Sequence, residues 1–450
     1  MTTVENRYLV GNYAPVANEV TVSELQVTGS LPEALCGRYL RNGPNPFAAP
    51  EPSTYHWFTG DGMVHGIRLR HGRAEWYRNR WVRSAEVAQA LGEPVRPGPV
   101  HAEMDFASNT NVIGHAGRTF AIVEAGARPY ELTYDLDTVG PSDFGGTLPG
   151  GYTAHPKRDP VSGELHAMSY YWGWGNLVQY TVVDIEGLVR RVVDIEVGGP
   201  VSIHDMSLTE RFAVIYDLPV VFDAEAAMSG ASFPYRWDAD YRARVGLLER
   251  ESGAEDISWF DVEPCYVFHP MNAYDDGGTV VLDVVRHQRM FDTHPLGPDE
   301  GPPTLERWSI DLAAGKLIEE RLDDRGQEFP RVDERLVGRR HRYGYAGAFL
   351  VNDSALIKHD LDRRTSEVRS LASPGGASEA VFVPSGPESA EDDGWVLSLV
   401  YDADRDTSDL LVLNAADFTG QPQAVVHLPQ RVPFGFHGNW VPDDAQALSI

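Results

Sequence analysis

Short runs in which apolar and polar residues alternate, close on Asp, Asn or Gly, and begin again recur along the whole chain. Seven stand out: 65–72, 130–135, 178–184, 257–261, 305–311, 355–360 and 409–414. A period of two places one face of an extended segment against a core and the other in water, and turn residues at its end mark antiparallel hairpins. Spacings of roughly 45–80 residues suit four-stranded propeller blades with insertions, so the pattern predicts an all-β architecture. Helical periodicity is scarce; 84–91 and 238–248 are the better candidates, placed over one face.

A second repeat runs out of phase with the first. His155, His204 and His269 are each followed by a polar turn and then by a strand, at 165–171, 212–216 and 279–285 respectively. This order predicts that one histidine closes the innermost strand of each of these blades. The segment Phe436-His437-Gly438-Asn439-Trp440 supplies a fourth histidine where a final blade should close. Innermost strands line a propeller's axis, so residues far apart in sequence can meet there. Four neutral imidazoles on an axis form a metal site suited to Zn, Cu, Ni or Fe. A lone histidine on a strand is more often structural; the shared context of these four is what gives them weight. Glu124, Glu328 and Glu379 each abut apolar sequence, where a carboxylate needs a partner. Ligand histidines commonly donate their second N–H to such acids.

Composition narrows the partners. Over 450 residues, 38 basic against 66 acidic side chains leave a formal charge of −28, which repels nucleic-acid phosphates and anionic lipids. No apolar run reaches the roughly 18–20 residues of a membrane span. The N-terminus lacks a basic segment followed by an apolar one, so the expected location is cytoplasmic. Proline- and glycine-rich stretches are loop-sized, and 1–450 reads as a single domain with no obligate protein partner evident. Cys36 and Cys265 form neither a disulfide framework nor a C-x-x-C motif and read as two small buried thiols. No P-loop, G-x-S-x-G elbow or G-x-G-x-x-G fingerprint occurs.

Several motifs, taken together and in order, carry a family resemblance from about residue 20 to residue 442. They are Arg41-Asn42-Gly43-Pro44-Asn45-Pro46, Trp57-Phe58-Thr59-Gly60-Asp61-Gly62-Met63-Val64-His65, Asn109-Thr110-Asn111-Val112, Thr153-Ala154-His155-Pro156-Lys157, His204-Asp205, Phe268-His269, Glu328-Phe329-Pro330, Ser378-Glu379 and the segment around His437. The chain resembles the carotenoid cleavage oxygenases, a family that also holds lignostilbene dioxygenases, plant epoxycarotenoid dioxygenases and the retinoid isomerohydrolase of the visual cycle. The resemblance implies a seven-bladed β-propeller with a helix and loop cap over one face. It implies a non-haem Fe(II) on the axis, held by His155, His204, His269 and His437. Glu124, Glu328 and Glu379 would then hydrogen-bond His204, His269 and His437 in that order, giving an outer charge of −3 and leaving His155 without a carboxylate. Thr110 matches the position that crowds one vacant iron site.

The implied reaction is cleavage of a C=C bond by O₂ into two carbonyl compounds, with no organic co-substrate. Charge developing on a conjugated chain is steadied by aromatic faces, and Phe58, Tyr171, Trp172, Phe268 and Phe436 are the candidate tunnel residues. Lignostilbene-type members bind their phenol with a lysine immediately before the acid that matches Glu124 and with an upstream tyrosine. Here that position is Val123, and the segment 92–98 has no tyrosine. The expected substrate is therefore an apolar carotenoid or apocarotenoid; the alternatives are a stilbene dioxygenase and a non-catalytic ligand-binding propeller. A polyene comes from a membrane, and the apolar insertion at 218–235 is a candidate lip for peripheral contact.

Overall fold

Each of the seven alternating segments falls in a different β-sheet of the computed structural model, which describes residues 6–106, 108–294, 296–349, 354–371 and 377–443. The start of the chain, residues 1–5, lies outside the described residues. Seven antiparallel sheets of four or five strands form the blades. Their innermost strands are Asn111–His115, Lys157–Arg158, Met206–Leu208, Tyr266–Asp276, Glu328–Arg331, Val381–Pro384 and Gly438–Pro442. Neighbours among these strands touch around the axis, which makes the fold a seven-bladed propeller. The ring is closed twice. Gly438–Pro442 pairs with Gly37–Pro44 of the N-terminal blade, and Val27–Gly29 pairs with Ala424–His427 of the last one.

The histidines open the innermost strands rather than close them. His155, His204 and His437 stand just before Lys157–Arg158, Met206–Leu208 and Gly438–Pro442, while His269 lies inside Tyr266–Asp276 at a register shift. What reads as a polar turn after each histidine is thus the innermost strand itself. Its polar residues, among them Lys157, Arg158, Ser207 and Asn272, line the axial cavity, while Met206 and Met271 join the apolar core.

The helix predicted at 84–91 forms as Ala85–Ala90, with the Ser84 hydroxyl capping the Val87 amide. The one predicted at 238–248 does not form. Arg244–Glu249 is instead a central strand between Phe212–Asp217 and Ser258–Asp261. Val245 to Leu248 are buried on both faces, which removes the alternation that marks a strand. A second helix, Ala224–Met228, is capped by the Asp223 carboxylate and sits in the insertion between the paired strands Val220–Phe222 and Tyr235–Trp237. The largest apolar cluster joins Val220, Val221, Tyr235 and Trp237 of this ribbon to Met206, Phe268 and Trp308 of two blades, so the base of the ribbon shares the propeller core. Each large side chain buried there contributes about 1.5–3 kcal/mol. Of the two thiols only Cys265 is buried, and burial pushes it up to about 12. Cys36 is partly exposed, with its Sγ 3.3 Å from the Glu33 carbonyl.

Candidate metal centre and its two cavities

Four blades deliver one imidazole each to the hub. His155, His204, His269 and His437 are all buried, and one ring nitrogen from each lies within 4.8 Å of the others. Ring centroids stand 4.4 Å apart for His155 and His204, 4.4 Å for His155 and His437, and 4.8 Å for His269 and His437.

Carboxylates set the orientation of three rings. His204 Nδ1–H donates to Glu124 at 2.9 Å, His269 Nδ1–H to Glu328 at 2.7 Å and His437 Nδ1–H to Glu379 at 3.1 Å. With Nδ1 carrying the proton, each Nε2 lone pair is left to face the axis. His204 Nε2 and His269 Nε2 stand 3.2 Å apart, and His155 Nε2 is buried without a hydrogen-bond partner. Two lone pairs at that distance repel unless a proton or a metal cation lies between them, and 3.2 Å is also close to the separation of two nitrogens that share an ion at about 2.1 Å each. The residues present therefore fit a bound metal ion.

Electrostatics point the same way. Burial alone would raise the Glu328 and Glu379 carboxyls, yet both are held well below the ordinary carboxylate range, Glu328 by His269 and His287, Glu379 by Arg331 and His437. Both stay anionic. Burial would lower His269, but Glu328 holds it above the usual imidazole range, and the same negative field favours a metal cation. Burial pushes His437 down to about 3 and His155 well below its usual value, so both rings are neutral donors.

One detail differs from the implied pattern: Arg331 Nη1, 3.1 Å from Glu379, offsets part of the outer charge of −3. His155 makes no carboxylate hydrogen bond: Asp205 Oδ2 stands 3.8 Å from its Nδ1, beyond hydrogen-bond range, and is held at 2.7 Å by Lys157.

The hub separates two cavities. The first, about 1050 Å³, lies on the side where the innermost strands begin and reaches His204, His269 and His437. Phe58, Trp172, Phe268 and Phe436 line it. Tyr171 does not: its ring packs over Gly126 and meets His101 at 5.2 Å, outside the wall. Thr110 lines this cavity next to the hub, where its carbonyl accepts the His437 amide at 3.1 Å. Val123, 5% exposed, is also on the wall. Phe233 and Tyr235, at the end of the 218–235 insertion, are on the same wall, as are Tyr8, Trp57, Phe106 and Phe329, which sequence reasoning missed. Phe329 flanks a hub carboxylate in the chain and Trp57 belongs to a quoted motif, so adjacency to the motifs was the available signal; Tyr8 and Phe106 carry none. The second cavity, about 540 Å³, follows the innermost strands down the axis and reaches His155, His269 and His437 from the opposite side. Its lining mixes the charged Arg38, Lys157, Arg158, Asp205, Arg331 and Glu334 with apolar residues such as Met271, Val332 and Val441.

A propeller that gathers four buried imidazoles at the end of an aromatic-lined cavity defines a metal-centred propeller enzyme. Residues 13–442 match the family model described as retinal pigment epithelial membrane protein, RPE65. The carotenoid cleavage oxygenase of Mycobacterium tuberculosis (strain H37Rv) is 50% identical over 97% of this chain and 98% of its own. A carotenoid 9,10(9',10')-cleavage dioxygenase 1 of Phaseolus vulgaris is 31% identical over 98% and 91%. Among solved structures, cobalt-substituted Synechocystis ACO superposes with a TM-score of 0.85 at 28% identity over 95% of this chain and 97% of that one. The Pseudomonas brassicacearum lignostilbene dioxygenase does so with 0.88 at 26% over 98% and 99%. The chain belongs to the RPE65 and carotenoid oxygenase family, and it is an oxygenase.

Proposed function

We propose that this chain is a non-haem Fe(II)-dependent dioxygenase that cleaves one C=C bond of a carotenoid or apocarotenoid with O₂, giving two aldehyde or ketone products. The observation that carries the reading is the meeting of four buried imidazoles with an apolar, aromatic cavity of about 1050 Å³. His155, His204, His269 and His437 would hold the iron, which supplies the O₂-activating chemistry when bound. The alkene and O₂ together account for both carbonyl products, so no reductant is needed.

The chain's own residues hold, orient and shield. Glu124, Glu328 and Glu379 fix the imidazole tautomers and offset the charge of the cation. Phe58, Phe268 and Phe436 meet edge to face beside the hub, with centroids 5.9 Å apart for Phe58 and Phe268 and 5.4 Å for Phe58 and Phe436. They exclude water from a reacting polyene and offer π faces to charge that develops on it. Thr110 narrows the cavity where it meets the hub.

A stilbene substrate is the second reading, supported by the structural likeness to a lignostilbene dioxygenase. The valine at position 123 weighs against it, since it presents a methyl surface where those enzymes place an ammonium group for a phenol. Membrane contact fits the exposed apolar edge of the cap, where Met228 is 83% and Trp172 44% exposed and both line the cavity. No helix among the described residues is long and apolar enough to cross a membrane, so the contact we propose is peripheral.

The test is iron analysis of the purified protein, then incubation of the iron-loaded form under air with β-carotene, apocarotenals and resveratrol, with carbonyl products identified by mass. Near-stoichiometric iron and polyene-derived aldehydes are expected. Cleavage of resveratrol alone would move the assignment to the second reading. An iron-free, inactive protein would leave a ligand-binding propeller.

A further inference from the structure

The three hub carboxylates are not held alike. Glu379 is fixed by the Gly438 amide at 2.9 Å and by Arg331. Glu124 has, among the described residues, only its bond to His204, and its Oε2 accepts no further hydrogen bond. Glu328 lies between two imidazoles: Oε2 accepts from His269 Nδ1–H at 2.7 Å and from the Phe329 amide, and Oε1 accepts from His287 Nε2–H at 2.8 Å. His287 comes from Thr279–His287, the strand next to the one that carries His269, and is 5% exposed.

An ionised carboxylate only accepts, so Nε2 of a neutral His287 carries the proton and Nδ1 does not. That Nδ1 is buried and has no partner. Leaving a polar atom unpaired in a dry wall costs about 1–3 kcal/mol, which a phenylalanine or leucine at this position would avoid. The imidazole's contribution that neither phenylalanine nor leucine could make is the hydrogen bond to Glu328. His287 also lines the cavity beside Phe268, whose ring meets it edge-on at 5.2 Å, and among the described residues its one side-chain hydrogen bond is to Glu328.

We infer that His287 is a positioning residue of the metal centre: it pins Glu328, and through Glu328 it fixes the direction in which His269 presents Nε2 to the axis. This rests on the reading of the four histidines as metal ligands. The partner that orients a ligand's own partner matters when the ligand's rotation is otherwise free, and His269 has no other side chain at its Nδ1.

The experiment compares the wild type with His287→Leu, His287→Phe and His287→Gln. Gln places an amide N–H near the position of Nε2 and preserves the bond to Glu328; Leu and Phe keep an apolar wall without it. Cobalt(II) affinity is measured by equilibrium dialysis against the metal-free protein, together with the visible spectrum of the cobalt-loaded form and a thermal melt of the metal-free one. The expected result is affinity weakened by roughly 10-fold or more in the Leu and Phe variants, a shifted cobalt spectrum, and Gln within about threefold of wild type. Wild-type affinity in Leu or Phe would overturn the inference. Equal losses in all three would also overturn it, because the ring would then act through packing. If Leu and Phe do not fold, Glu328-dependent protection of the His287 Nε2 proton in NMR of the metal-free protein decides: its loss in Glu328→Leu, which has no acceptor, supports the assignment and its persistence refutes it. A wild type that binds no cobalt would refute the metal reading itself, while the NMR result would still report on the His287–Glu328 bond.

Discussion

The two cavities that meet at the hub differ in nearly every respect but their shared histidines. On the cap side the wall is made of the starts of innermost strands, the segments before them and the Val220–Trp237 insertion, and these carry aromatic residues. On the axial side it is made of the strands themselves, which carry Lys157, Arg158, Asp205 and Arg331. His204 faces only the first and His155 only the second, while His269 and His437 face both. The same four rings thus form a partition between an oily compartment and an ionic one. A substrate with no polar groups is confined to the first by the cost of displacing water from charged groups in the second.

The most severe way to break this contrast is to breach the partition. His269→Ala removes a ring that faces both compartments and a candidate ligand, and metal content should fall below about a tenth of wild type, with polyene cleavage lost; metal analysis and product mass check both. Retention of metal and turnover would show that the hub is not the centre. A milder break distinguishes the two sides through their carboxylates. Glu379→Gln and Glu328→Gln should each weaken metal binding by about 10–100-fold, measured by dialysis. Glu379→Gln should also lower the melting temperature further, because it leaves the buried Arg331 with only the exposed Glu334 as its anion, and breaking a buried pair costs up to about 3–5 kcal/mol.

Much of this hub is legible in the amino-acid sequence because its parts are few and punctuated: a histidine followed by a short polar strand, repeated, and an acid beside an apolar run. The strand at Arg244–Glu249 is not, since Val245 to Leu248 are covered on both faces and no polar residue marks a period. Tyr171 misleads for a related reason, its neighbour Trp172 being on the wall while it turns to Gly126. His287 is hidden because nothing local distinguishes it; its meaning lies in a contact 41 residues away.

Smaller changes sharpen the contrast without breaching it. Val123→Lys places an ammonium in the oily wall and should raise the KM for apocarotenoids several-fold, whereas Arg158→Gln on the ionic side should leave that KM within about twofold. Equal effects from both in steady-state assays would mean that the compartments are not separate routes.

Acid sensitivity does not separate the blades from the hub, where His437 is lowered as well. Burial pushes His56 and His65 down to about 3 and His166 and His359 down to about 4, so these rings are neutral when folded and take up protons only on unfolding. Because the unfolded chain binds more protons below about pH 6.5, stability should fall as the pH drops from there towards about 4. Thermal melts across that range check it, and His65→Gln should make the decline shallower.

The last ring to join the hub, His437, precedes the strand that fastens the end of the propeller to its beginning. The coordination set is therefore incomplete until Gly438–Pro442 has zipped onto Gly37–Pro44. Assembly of the toroid and assembly of the metal site become one event, and a captured ion doubles as a clasp: pulling it out should loosen the seam between first and last blades before any other part of the molecule.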